Sequence, residues 1–189
     1  MTKPGWDADI AQRVGRAVKS LREAETPRMS AAKLAERTSQ YGFALTKAQI
    51  SDLELGRKKT VTVAELITLA AALGRPPIEL LYPDLPDAPV DVWPEFGTTS
   101  FTALQWFSGE ITGRDIADVP LTAASTNDRV QAAREYARLK SDVGRAARKA
   151  IENDLSPDAL EALRAAKSLL AERKSLLRQN GWPVDDDDE

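Results

Sequence analysis

The sequence predicts an all-α protein. Apolar residues recur at three- and four-residue spacing in one segment after another, and Ser or Thr capping signals open several of those segments. Alternation of apolar and polar residues is nearly absent, with one weak strand signal around Val90–Val92.

Five short helices are expected in the first part of the chain. Over 8–24, Ile10, Val14, Ala17, Val18 and Leu21 share one face. Pro27 separates this helix from a second over about 30–40, which Ser30 is placed to cap and which buries Leu34 and Ala35. A loop containing Gly42 leads to a third helix. It opens on T-K-A-Q, where Thr46 and Gln49 have capping-box spacing, and runs to Gly56. A second box, Thr62 with Glu65, opens the fourth helix, which turns Leu66, Leu69, Ala70 and Leu73 inward and stops at Gly74. Pro77, at a first-turn position, begins a short fifth helix from Ile78 to Tyr82.

The composition then changes. Pro83, Pro86, Pro89 and Pro94 fall within a dozen residues, which reads as a stiff, extended linker over 84–95. An aromatic patch follows: Trp93, Phe96, Phe101, Trp106 and Phe107. Ser100 to Ser108 fits one or two helical turns ended by Gly109. A long helix is expected over 124–153, capped within S-T-N-D, and a last one from the Ser156-Pro157-Asp158 cap to about Asn180. In that last helix Leu163, Leu170 and Leu177 recur every seven residues beside Leu169 and Leu176. The expected organisation is a first domain over 1–83, a linker over 84–95, a helical domain over 96–180 and a disordered acidic tail over 181–189. No internal repeat is visible.

Composition excludes several kinds of chemistry. At 189 residues with 42% hydrophobic and 29% charged positions, the chain reads as an ordinary soluble globular protein. It has no cysteine and no histidine, which argues against disulfides, thiolate or histidine metal sites and Ser-His-Asp hydrolysis. No nucleophile–base pair or metal set is visible, so neither an enzyme nor a cofactor is expected. The opening MTKPGWDADI lacks the apolar core of a signal peptide, and no apolar run approaches the roughly 18 residues that would span a membrane. A cytoplasmic location is therefore expected, with no membrane partner.

The net charge of −3 is unevenly distributed. Residues 1–83 hold 13 basic and 9 acidic residues, a net of +4, and residues 84–189 hold 13 and 20, a net of −7. The first part is therefore the one suited to a polyanion, although ordinary solvated surface can look the same.

Residues 46–59, TKAQISDLELGRKK, carry the sharpest pattern. With Ile50 and Leu53 inward, Ala48, Ser51, Asp52 and Leu55 fall on the opposite side, flanked by Lys47 and Gln49. A small, polar outer face on a short helix suits the floor of a DNA major groove, where base edges offer hydrogen-bond partners and thymine methyls. Arg57, Lys58 and Lys59 follow at once, where they can neutralise phosphates. An ordinary amphipathic helix with a basic turn is the alternative.

The order of these pieces resembles the lambda-repressor-like (Xre-type) helix-turn-helix family. VKSLRE, SAAKLAE, TKAQISDLELGRKK and LITLAAALGRPPIELL match in sequence over about 10–82. The resemblance implies a five-helix DNA-binding domain that acts as a dimer on paired half-sites, usually to repress transcription. Thr46 would then contact phosphate, Lys47, Ala48 and Ser51 would face base edges, and Arg57 and Lys58 would grip the backbone. Arg22 and Glu54 match a structural salt bridge between the first and third helices.

Three departures stand out. Ala31 occupies the place of a phosphate-touching Gln. The RTSQYGFALT link is longer than the usual turn, which would shift the docking angle or let Gln40 and Tyr41 reach the DNA backbone. Asp52 puts a carboxylate on the outward face, where it can accept from cytosine N4 or pair with a nearby Lys; pairing is the preferred reading.

Several readings of the second half stay open. The Leu163/Leu170/Leu177 stripe and the aromatic patch can form the domain's own core, with two long helices in an antiparallel hairpin, or a dimer interface that holds two recognition helices roughly 34 Å apart. Arg134, Arg138, Arg145 and Lys149 lie near one face of the 124–153 helix, with Asp128, Glu135 and Asp142 along another, so a second DNA contact is also open. The aromatic patch can be read as an effector pocket, but no small-molecule effector is expected. The helical pattern argues against a self-cleaving repressor, and the acidic tail reads better as solvated than as a DNA mimic. The expectation is a homodimeric transcriptional repressor on double-stranded DNA, of phage-immunity or host type. Bases would be read by Lys47, Ala48, Gln49, Ser51 and Asp52, and phosphates held by Thr46, Arg57, Lys58 and Lys59. The alternative is an antitoxin-like protein whose helical second half binds a partner.

Overall fold

The computed structural model describes residues 5–111 and 128–184. Among them the chain is mainly helical, with a single two-stranded sheet. The helices are α1 (Trp6–Ala24), α2 (Ala31–Ser39), α3 (Lys47–Glu54), α4 (Val63–Leu73), α5 (Pro77–Leu81), α6 (Ser100–Phe107), α7 (Asp128–Glu152) and α8 (Pro157–Gln179). Strands β1 (Pro89–Trp93) and β2 (Phe96–Thr99) lie between α5 and α6 and pair antiparallel, Val90 opposite Thr98 and Trp93 opposite Phe96. Two compact units result, Met1–Ser108 and Gly109–Glu189.

The helix ends of the first unit follow their local chemistry. The Ser30 side chain accepts the Lys33 N–H at 3.1 Å. Thr46/Gln49 and Thr62/Glu65 both form complete capping boxes, each side chain satisfying an N–H that the helix itself leaves unpaired. At the end of α3, Gly56 takes φ 69°, a left-handed turn open to glycine at no steric cost.

Apolar stripes from α1 to α5 meet in one core, in which Val14, Val18, Leu34, Ile50, Leu69 and Leu80 are fully buried. Burying each such side chain contributes about 1.5–3 kcal/mol. Helix α1 crosses the end of α3 at Gly15, where a Cβ would stand 2.1 Å from the Leu53 carbonyl oxygen. The missing side chain lets the two backbones approach closely and seats α3 against α1.

The expected linker is instead folded structure. Tyr82, Val90, Val92 and Ala103 form a second core, with Ile78, Leu81, Trp93, Phe96, Leu104 and Trp106 packed around it. Helix α5 thus feeds both cores, Leu80 into the first and Ile78 into the second. The four prolines of this run lack N–H donors, but the run keeps all its carbonyls, and the start of α6 uses them. The Ser100 N–H donates to Ala88 O (2.8 Å), the Phe101 N–H to Pro86 O (3.0 Å) and the Ser100 hydroxyl to Pro83 O (2.7 Å). The boundaries expected at 83 and 96 therefore give way to one at Ser108, and the all-α expectation gains a short sheet. Stacking of Trp93 on Phe96 (centroids 4.4 Å apart) and edge contacts of Trp93 with Trp106 and Tyr82 with Phe107 place most of the aromatic patch within this unit.

In the second unit α7 and α8 pack along each other, joined across by the Glu135–Arg173 ion pair. Ala132, Tyr136, Leu139, Val143, Ala146 and Ala150 form a seam on α7 at alternating four- and three-residue spacing. Ala159, Leu163, Ala166, Leu170, Arg173 and Leu177 form one on α8. Only Ala150, Ala159, Leu170 and Leu177 of these are buried, and Leu169 and Leu176 are exposed. Ser156 stands at the start of α8 but its side chain makes no capping bond. Gly181 and Trp182 close the last turn through N–H bonds to Arg178 O and Leu177 O, so they belong to the helix end and not to a disordered tail. The expected S-T-N-D cap falls largely, and residues 185–189 wholly, outside the described residues.

Candidate functional site

Helix α3 is held from behind. Ile50 and Leu53 are 1% and 3% exposed, and Arg22 of α1 reaches Glu54 through two bonds of 2.7 Å each. Both side chains of this pair are more than nine-tenths buried, and Arg22 also donates to Met29 O at 2.6 Å. The hydrogen bond to Glu54 raises the Arg22 pKa further above its ordinary value. Buried charges left unpaired are costly, so this pair fixes the angle at which α3 leaves the core.

The opposite face is open. Thr46, Lys47, Ala48 and Gln49 are exposed, Ser51 and Asp52 half-buried, and Leu55 exposed at the end of the helix. Gln49 was expected to read bases, but its Oε1 accepts the Thr46 N–H at 2.8 Å and closes the capping box. Thr46 Oγ1 accepts the Gln49 N–H at 3.1 Å and keeps its hydroxyl proton to donate. Lys47 is exposed and has no ion pair among the described residues.

The three cations after Gly56 differ in kind. Arg57 folds back onto Asp52, its Nε 2.7 Å from Oδ1, so Asp52 pairs with an arginine and not with the expected lysine. Lys58 pairs with Glu65 of α4. Burial works to raise the Glu65 pKa, but the hydrogen bonds from Lys58 and from the Thr62 N–H outweigh it, and the net shift is downward. Lys58 was expected on phosphate; it is a clamp between the α3–α4 turn and the α4 capping box. Lys59 is exposed, with only a 3.4 Å approach of Nζ to Gly56 O.

The seven-residue link from Gln40 to Thr46 is tied to its surroundings. The buried Thr38 hydroxyl accepts the Leu45 N–H at 3.0 Å and donates to Ala35 O. Tyr41, a candidate for the DNA backbone, donates its hydroxyl to Ala71 O at 3.1 Å. Gln40 is exposed at the end of α2.

On α7 the expected basic row is broken up. Arg134 lies 3.7 Å from Glu110, and Arg145 pairs with Asp142, so acidic and basic residues meet instead of segregating. Arg138 and Lys149 are exposed. In the first unit a groove of about 1070 Å³ is lined by Arg13, Arg16, Asp84, Asp87 and Asp91 among others. The five aromatics take no part in it, and its mixed charge selects no ligand class.

Residue spacing gave no sign of Gly15, of the Arg57–Asp52 pair or of the Lys58–Glu65 pair. The first depends on a contact 38 positions away in sequence, and the other two depend on which way flexible side chains turn. Among the described residues no helix is long and apolar enough to cross a membrane, and no His/Cys/Asp/Glu group is arranged to hold a metal. None of the family models, curated proteins or solved structures compared with the chain matches it.

Proposed function

We propose that the chain is a sequence-specific DNA-binding transcriptional repressor of the Xre helix-turn-helix type, with α2 and α3 as its two-helix element and α3 as the recognition helix. The observation that carries this reading is the outer face of α3. Lys47 and Ala48 are exposed beside a half-buried Ser51, on a helix locked by Ile50, Leu53 and the Arg22–Glu54 pair. Small and polar groups on the exposed face of a firmly seated helix let it enter a major groove and meet base edges. Lys47 and Lys59 supply exposed positive charge at its two ends, and the Thr46 hydroxyl supplies a phosphate donor.

Repression by such a protein is steric: an occupied operator excludes polymerase. The α7–α8 pair supports a homodimer arranged as two long-helix hairpins, because exposed Leu169 and Leu176 offer a second apolar stripe seven residues apart. The same stripe keeps the antitoxin-like reading alive, in which the second unit binds a different protein. Replacing Leu169 and Leu176 by Ala lowers self-association under the first reading; a stable unrelated protein that copurifies with the wild type but not with this variant supports the second.

Selection of bound duplexes from a random pool tests the main reading. Lys47→Ala is expected to change the selected sequence and to cost about 1–3 kcal/mol on the best wild-type site. Lys59→Ala is expected to weaken binding to all sequences and to reduce the salt slope by roughly 0.9. If neither variant alters binding, α3 is not the recognition helix.

A further inference from the structure

Asp52 holds Arg57 twice. Its backbone carbonyl accepts the Arg57 N–H at 2.9 Å, and its Oδ1 accepts Nε at 2.7 Å with Nη2 at 2.6 Å. Asp52 stands one turn beyond Ala48 on the same side of α3, so the pairing carries the guanidinium onto the end of the helix's open face. With Nε and the inner side of Nη2 turned to Asp52, the donors left are those of Nη1 and the outer N–H of Nη2. These form a planar fork.

A fork of this kind meets two sorts of acceptor in a duplex: phosphate oxygens, and the O6/N7 edge of guanine. The carboxylate beside it decides between them. A phosphate docked on the fork stands close to Asp52 and is repelled, whereas the guanine edge carries no net charge. The Arg57–Asp52 pair is itself neutral, so it has directed donors but little charge with which to release counterions. Both side chains are about half exposed, at 62% and 47%, and an exposed pair of this kind adds little to stability. What it supplies is direction.

We propose that Arg57 is a guanine reader and that Asp52 is the positioning residue that aims it, in place of the phosphate grip expected for Arg57 and the base contact or lysine pairing expected for Asp52. This inference rests on the DNA-binding reading of α3. The test uses the full chain as wild type, Arg57→Ala, Asp52→Ala and the double variant, each carried through duplex selection and through binding at several salt concentrations. The wild type is expected to select a guanine in each half-site, with about a tenfold loss on replacing it. Arg57→Ala loses that preference and keeps nearly the same salt slope.

Asp52→Ala loses the same preference while its salt slope steepens, because the released Arg57 turns to phosphate, and its melting temperature stays close to that of the wild type. In the double variant the steepening disappears. A slope reduced by roughly 0.9 in Arg57→Ala with the selected sequence intact shows a phosphate clamp and overturns the inference. So does an unchanged guanine preference in Asp52→Ala. A wild type that selects a motif untouched by either variant removes this inference alone, and a wild type that selects nothing removes the DNA reading as well.

Discussion

In the first unit, helices α1 to α5 close completely around Val14, Val18, Leu34, Ile50, Leu69 and Leu80. In the second, α7 and α8 meet along one seam, bury two leucines and two alanines, and leave Leu169, Leu176, Ile151 and Leu155 exposed. Five helices packed in different directions shield a core from every side, whereas two helices side by side leave their seam open along both edges. The first unit therefore has what it needs to hold one geometry alone, which the recognition role proposed for α3 requires. A pair of this size has too little interior to be strongly stable alone, and its open stripes are suited to pairing.

The largest expected effect lies at the closest approach in the closed unit. Gly15→Ala would place a methyl 2.1 Å from the Leu53 carbonyl, with backbone on both sides and no flexible group to yield. A loss of about 3 kcal/mol or more is expected, read by denaturant unfolding, and confined to the transition of the first unit. A loss under about 1 kcal/mol would show that α1 and α3 slide past one another and that α3 is less firmly seated than described.

Matched truncations sharpen the contrast. Leu69→Ala removes a fully buried side chain from a core closed on all sides, so about 3–5 kcal/mol is expected. Leu170→Ala empties a seam that water and neighbouring side chains can refill, and about 2 kcal/mol is expected for the isolated chain. Equal losses would mean that the seam is closed in solution, and dependence of the Leu170→Ala loss on protein concentration would identify a second copy as what closes it.

What the sequence revealed follows the range of the forces involved. The capping boxes at Thr46/Gln49 and Thr62/Glu65 were legible because each is settled within four residues. Arg22 with Glu54 was legible only through a family resemblance, since nothing local pairs residues 32 apart. The 84–95 segment reads as a linker because closely spaced prolines signal a stiff, extended chain; the carbonyls of Pro83, Pro86 and Ala88 that anchor α6 leave no mark in that spacing. The cation run after Gly56 was read as three equal charges. Asp52 and Glu65 separate it into an arginine paired with Asp52, a lysine paired with Glu65 and an exposed lysine.

The Lys58–Glu65 clamp makes the first unit sensitive to acid. Because the folded-state pKa of Glu65 is lowered, its contribution is fully present above the unfolded carboxylate value of about 4.3 and is lost as the pH falls through the lower folded value. Lys58→Met leaves Glu65 with only its capping-box bonds and is expected to cost about 1–3 kcal/mol at pH 7. Without Lys58, two of the influences that lower the Glu65 pKa are lost and the folded pKa moves upward from its wild-type position, so the variant loses less additional stability between pH 5 and pH 3 than the wild type does. Parallel acid titrations of wild type and variant would argue that the ammonium is solvated and therefore available to phosphate.

The smallest effect tests how much of the second unit is committed to contact. The turn between α7 and α8 holds Leu155 at φ 56°, a left-handed conformation that costs a side-chain-bearing residue about 1–2 kcal/mol, and the side chain is 56% exposed. Leu155→Gly removes that strain but gives the unfolded chain more freedom, so a net gain of about 0.5 kcal/mol is expected in the unfolding of the second unit. Self-association should be unchanged, because pairing through Leu169 and Leu176 lies along α8 and away from the turn. If the variant is less stable and less associated, the turn itself is a contact surface. The strain at Leu155 would then be tolerated because the side chain is needed there.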